Sequence, residues 1–203
     1  MGAGVFLVSL MLLSEPRWEP AGSSAGVHWY TRERQGIEVR ELKATALFEA
    51  TPSEVWAVLT DFEGWVHSMP STDAAVVIAR EGAGRTLLYL RYVLPLIAPR
   101  DTLVEMTEQP DVDGRWVLSW KVAPETRDWV RPVPDGVVRL RLNEGLWQLE
   151  ARDEGRSTFV TYQLLSTLGG EVPPFFVQQA SAFGVPRTFE ALRRAAQSRR
   201  AAK

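Results

Sequence analysis

The chain reads as α+β: a run of antiparallel strands, two short helices early in that run, and one long helix at the end. Three observations carry this. From Asp73 to Leu165, short stretches rich in β-branched and aromatic residues alternate with turn signals at Gly, Asp and Pro. A helix-start pattern interrupts the strands at Thr51, and after Gly169-Gly170 apolar residues recur at helical spacing. The 203 residues, 45% hydrophobic and 24% charged, fit one soluble domain with one core and argue against intrinsic disorder.

Residues 5–13 (VFLVSLMLL) are apolar but too short for a membrane span, which takes about 20 residues. They are similar to the hydrophobic part of an export signal, yet residues 1–4 hold no Lys or Arg, and the small-residue stretch 21–25 lies far downstream. Residues 1–25 are therefore set apart as an apolar segment and linker, the linker being the Pro-, Gly- and Ser-rich part 14–24, and residues 26–203 as one domain. The compartment stays open: cytoplasmic, or exported if residues 1–25 act as a signal peptide.

Residues 27–32 and 37–48 predict two strands around Gln35-Gly36. Thr51-Pro52-Ser53-Glu54 then supplies a capping hydroxyl, a proline suited to the first helical turn, and a Glu that reaches back to the cap. A second short helix is expected within residues 61–69, ended by Pro70. Strands follow at 74–80, 85–94 and 101–108, with hairpins at Asp113-Gly114 and Glu154-Gly155. Residues 124–135 (PETRDWVRPVPD) carry three prolines and cannot continue a central strand, so they predict an excursion. In the last helix, Gly184-Val185-Pro186 predicts a kink or break, since proline removes a backbone bond and crowds the preceding turn.

The chemistry is narrowed by what is missing. There is no Cys, so disulfides, thiolate nucleophiles and Cys-ligated metal sites are excluded. His28 and His67 show no metal-ligand spacing, no GxSxG is present, and no cofactor motif appears, so neither a metal, a cofactor nor a catalytic residue is assigned. A net charge of -2 gives no general pull toward nucleic acid. Arg187, Arg193, Arg194, Arg199, Arg200 and Lys203 give the last helix a local basic bias, suited to solvent or to transient contact with an anionic membrane surface.

Several stretches together resemble one family. They are Ala50-Thr51-Pro52-Ser53-Glu54-Val55-Trp56 with Leu59 and Asp61, residues 65–70, Pro99-Arg100-Asp101, Val138-Arg139, Gly145-Leu146-Trp147, Val160-Thr161-Tyr162 and residues 168–173. In this order they resemble the START lipid-transfer domains, of bacterial type, within the helix-grip superfamily that also holds aromatase/cyclase-like proteins. The resemblance implies a curved antiparallel sheet of about seven to nine strands around the C-terminal helix, with a ligand cavity between them. It implies a lipid or other hydrophobic small molecule as partner, carried rather than converted; the alternative is a polyketide cyclase/aromatase-like enzyme. Where certain sterol-binding members place an acid and a base, this chain has positions near Leu87 and Met106, both apolar.

With such a cavity, strand alternation groups Leu87, Tyr89 and Arg91 on one face and Leu88, Leu90 and Tyr92 on the other. If the Leu87 side faces inward, Tyr89 and Arg91 offer a hydroxyl and a cation to a ligand head. Trp120, Trp147 and Tyr162 are expected in the wall, as is Met106, and Phe176, Gln179 and Phe183 on the covering helix. Arg100 and Asp101 read as a buried ion pair or turn clamp, and Arg139 as similar.

Overall fold

The computed structural model describes residues 17–82, 84–124, 132–170, 172 and 174–201, and for 174–183 and 201 the backbone alone. The apolar run 5–13, most of the excursion 124–135, and the side chains of Phe176, Gln179 and Phe183 lie outside the described residues.

Among the described residues, one sheet of ten strands dominates. It opens with β1 (Glu19–Ser24), β2 (Val27–Arg34) and β3 (Ile37–Phe48), each antiparallel to the next. The helices α1 (Pro52–Leu59) and α2 (Trp65–Ser68) carry the chain to the opposite edge. There β4 (Thr72–Glu81), β5 (Arg85–Tyr92), β6 (Arg100–Val112) and β7 (Arg115–Val122) meander back, followed by β8 (Val138–Arg139), β9 (Asn143–Arg152) and β10 (Ser157–Ser166). β10 closes on β3, giving the order β1-β2-β3-β10-β9-β7-β6-β5-β4, while β8 runs parallel to the start of β6. The long helix α3 (Pro174–Ala201) lies across one face, which we call the inner face.

Local chemistry explains these elements. Thr51 caps α1 in the manner its sequence predicts: Glu54 N donates to Thr51 Oγ1 at 3.3 Å, and Thr51 N donates to Glu54 Oε2 at 2.9 Å. Asp113 and Gly114 both adopt positive φ, the geometry that matches a tight hairpin to the twist of its strands. β1 falls where a linker is expected. Its Gly22 leaves room for the Trp29 ring, which would come within 2.3 Å of a β-carbon there. Nor does Pro186 break α3, which remains helical through it. Val185, Phe189, Leu192 and Ala196 are all buried, and this packing offsets one lost backbone bond.

The core sits between α3, α1 and the inner face. Phe189 is fully buried and meets Phe48 edge-on at 6.0 Å and Trp147 at 5.6 Å. A second, smaller apolar cluster of Leu87, Tyr89, Leu103 and Ala123 occupies the outer face of the sheet.

Candidate ligand cavity

The inner face and α3 do not meet along their whole length, and between them lies a cavity of about 670 Å³. That is ample for one small molecule, since such sites run from roughly 300 to 1,000 Å³. Alternation on the strands puts Leu90 and Tyr92 of β5, Met106 of β6 and Trp120 of β7 into its wall. Further round the sheet, Trp147 of β9 and Tyr162 and Leu164 of β10 continue it. Trp65 of α2 and the following Met69 line it too, as do Gly184, Val185 and Thr188 of α3. The turn after β5 supplies Leu94 to Ile97, and Leu96, 86% exposed, marks where the cavity meets solvent.

The rings hold one another in place. Tyr162 sits 4.3 Å from Trp147 and stacks on Trp120 at 5.9 Å, and Phe189 closes behind them. Trp120 turns its Nε1–H to Asn143 Oδ1 at 3.2 Å. Asn143, 4% exposed, also hydrogen-bonds the Tyr92 side chain. An indole N–H only donates, so the Asn143 amide oxygen is the acceptor for Trp120. Burial pushes the Tyr92 phenol up to about 12, the hydrogen bond with Asn143 pulling slightly the other way. Tyr162 is also driven up, by burial first and by its neighbour Tyr92 second.

Of the residues expected around a ligand, Met106, Trp120, Trp147 and Tyr162 stand together in this wall. Leu87, Tyr89 and Arg91 do not: they lie on the outer face, and the expected orientation of β5 is reversed. The reason is register. Tyr92 pairs with Arg100 and Thr86 with Met106, and directly opposed residues share a face, so Met106 shares its side with Thr86, Leu88, Leu90 and Tyr92. Arg91 instead makes a three-bond ion pair with Asp73, at 2.7 Å for the shortest contact. Tyr89 is buried in the outer cluster, its hydroxyl pushed up by burial and by Asp101, to which it hydrogen-bonds.

Among the wall residues that the sequence does not assign to a ligand are Leu90, Tyr92 and Asn143. The register of the β5-β6 hairpin is the signal that points to the first two.

Arg100 and Asp101 open β6 in structural roles. Asp101 is fully buried and takes both oxygens to Arg139, at 2.6 and 2.8 Å, an arrangement made by the parallel pairing of β8. Arg100 borders the cavity, but its guanidinium donates to the backbone carbonyls of Ala98, Leu168 and Gly169, and burial lowers its pKa. Along α3 the basic bias is partly consumed: Arg193 lies over the Phe48 ring, Arg194 pairs with Glu190, and Arg199 with Asp61.

No sequence-family model matches the chain. It is 26% identical to an uncharacterized protein of Pseudomonas aeruginosa, a match that covers 98% of this chain and 96% of that one. Its fold superposes on a STAR-related lipid transfer protein from Xanthomonas axonopodis with a TM-score of 0.77 and 25% identity, covering 89% of this chain and 98% of that one. The chain has the fold of the START lipid-transfer proteins. Human StAR-related lipid transfer protein 5 shares this fold at a TM-score of 0.80 and 17% identity, over 89% of this chain and 86% of its own. An aromatase/cyclase from Streptomyces does so at 0.54 and 17%, over 79% and 92%. The START fold is thus common to proteins named for lipid transfer and to one named for ring chemistry, and fold alone does not choose between them.

Proposed function

We propose that this START-fold protein binds one lipid or other hydrophobic small molecule in the cavity and carries it. The observation that supports this best is a space of about 670 Å³ between the sheet and α3, walled largely by aromatic and aliphatic side chains. An interior normally packs to crystal-like density, so a void of this size stands out against ordinary core packing. The test is native mass spectrometry of protein purified from its own host, followed by organic extraction. A stoichiometric hydrophobic molecule supports the reading; an empty protein that takes up no fluorescent lipid or sterol overturns it.

Carriage requires loading, and the rim of the cavity suits a membrane surface. Leu96 is 86% and Val93 46% exposed in the turn that borders the mouth, with Arg187 of α3 exposed nearby in the wall. Apolar residues flanked by a cation fit the boundary between acyl chains and anionic head groups.

The alternative reading is an aromatase/cyclase-like enzyme, supported by Tyr162 and Tyr92 in the cavity wall as possible proton donors to a ring precursor. It requires turnover of a polyketide-type substrate that a conservative Tyr162→Phe change abolishes without unfolding the protein.

A further inference from the structure

The cavity wall is unbalanced in charge. Among the described residues that line it there is no Asp or Glu, while Arg100 of β6 and Arg187 of α3 both do. Residues 174–183 (PFFVQQASAF) contain no charged residue. Neither arginine has a carboxylate partner among the described residues. Arg100 is 3% exposed, and its guanidinium donates to the carbonyls of Ala98, Leu168 and Gly169, which hold the group without cancelling its charge. Burial alone shifts its pKa, downward, with no acid near enough to oppose the shift. Along α3, Arg193 lies over Phe48, Arg194 pairs with Glu190 and Arg199 with Asp61. Arg187, exposed in the cavity wall, makes no such contact with the described residues.

A buried cation without a counter-charge is costly, and low-dielectric walls carry its field into the space they enclose. A cationic ligand head is repelled there, an uncharged one leaves the imbalance as it stands, and an anion offsets it. The place of that anion is constrained too. Leu90, Met106 and Trp147, all nearly inaccessible, give the buried part of the wall an apolar character suited to a hydrophobic body. Arg187 is exposed, so a charge beside it keeps contact with water and escapes most of the cost of desolvation.

We infer that the ligand is an amphipathic anion, its apolar body lying against Leu90, Met106 and Trp147 and its negative head, a carboxylate or a phosphate ester, meeting the Arg187 guanidinium at the mouth. This rests on the reading that the cavity holds a ligand, and names the ligand's chemical class. Arg187 supplies the direct contact, since the planar fork of a guanidinium fits either head group with two parallel N–H bonds. Arg100, already bonded to three carbonyls, contributes through its charge.

The test uses the full chain and fluorescent probes that share one body: dansylaminoundecanoic acid, its methyl ester, dansylaminoundecyl phosphate and dansylaminoundecyl-trimethylammonium. At low salt the wild-type protein is expected to bind the acid or the phosphate more tightly than the ester, and the tighter of the two names the head group. Arg187→Gln should weaken binding of that anion about ten-fold, the loss of one charge-assisted contact, and leave the ester unchanged. Arg194→Gln removes a cation of the same helix outside the cavity wall and should alter none of the probes. If the wild type holds the ester as tightly as both anions, if the trimethylammonium probe binds best, or if Arg187→Gln keeps the anion preference, the inference is overturned and carriage stands. Equal loss of anion and ester in Arg187→Gln also overturns it, because the arginine would then only shape the wall. A wild-type protein that takes up none of the probes removes the carrier reading and the inference with it.

Discussion

Arg91 and Arg139 each meet an aspartate bidentately, and their surroundings decide what each pair contributes. Asp101 is fully buried, so removing Arg139 strands a carboxylate in the protein interior. Arg139→Met is expected to cost about 3–5 kcal/mol of folding stability, the usual penalty for breaking a buried pair from one side. Arg91 and Asp73 are both more than a third exposed or nearly so, and solvent screens them; Arg91→Met should cost under about 1 kcal/mol. Chemical denaturation of the two variants side by side checks the contrast, and a similar loss in both would mean that Asp101 is not held as the geometry indicates. Tyr92 gives a pH prediction of known sign. Its pKa in the fold is about 12, above the value of about 10 in an unfolded chain, so folding holds the proton more tightly. Stability is therefore unaffected below about pH 10 and falls as pH rises from there toward 12, where the folded phenol ionises too. Tyr92→Phe should flatten part of that alkaline loss in denaturant titrations run at successive pH values, with no change near neutrality.

At the scale of elements, the strands and helices differ in how openly they announce themselves. α1 was legible because Thr51, Pro52 and Glu54 each have one favourable place at a helix start, and the three places coincide. The hairpins at Asp113-Gly114 and Glu154-Gly155 were legible because turn chemistry depends on neighbours in sequence. β1 was not: EPAGSS has almost no strand-forming side chains, and it pairs because the adjacent β2 offers it an edge. β5 was recognised as a strand but with its faces exchanged, because both faces carry leucines and a tyrosine, and only the pairing with β6 tells them apart. The candidate site was accordingly half legible, its aromatic wall from β7, β9 and β10 but not Tyr92 and Asn143. One glycine ties sheet geometry to that wall. A β-carbon on Gly145 would stand 2.1 Å from the Gln163 carbonyl oxygen and 2.6 Å from the Trp120 ring. Gly145→Ala must therefore move backbone or indole, with an expected cost of about 1–3 kcal/mol. Near-ultraviolet circular dichroism should change as Trp120 is displaced, and an unaltered spectrum with unaltered stability would contradict the packing described here.

At the scale of the whole molecule, the sheet and α3 enclose the cavity while the turn after β5 stands at its rim, and that turn bears a feature the isolated domain does not explain. Leu96 holds φ +67, a backbone conformation that costs a branched apolar residue, and its side chain is 86% exposed. Neither packing nor backbone preference inside the domain is served by leucine at that point, and strain of this kind is a pointer to function. Under the carrier reading the benefit comes at the membrane, where Leu96 and the neighbouring Val93 would leave water. Val93 is the cleaner position to alter, since it is exposed at the end of β5 and does not line the cavity. Val93→Asp places a charge where lipid contact is expected, opposing insertion both by desolvation and by repulsion from anionic head groups. Transfer of a fluorescent lipid from anionic donor vesicles should slow by about ten-fold, the effect of roughly 1.4 kcal/mol on the docked state. Equilibrium loading of the same lipid from detergent-free solution should be unchanged, and so should the melting temperature. Slowed transfer with normal loading assigns the rim to membrane docking; unchanged transfer means that the ligand reaches the cavity without this turn entering the bilayer, and shifts loading to the side of α3 that carries Arg187.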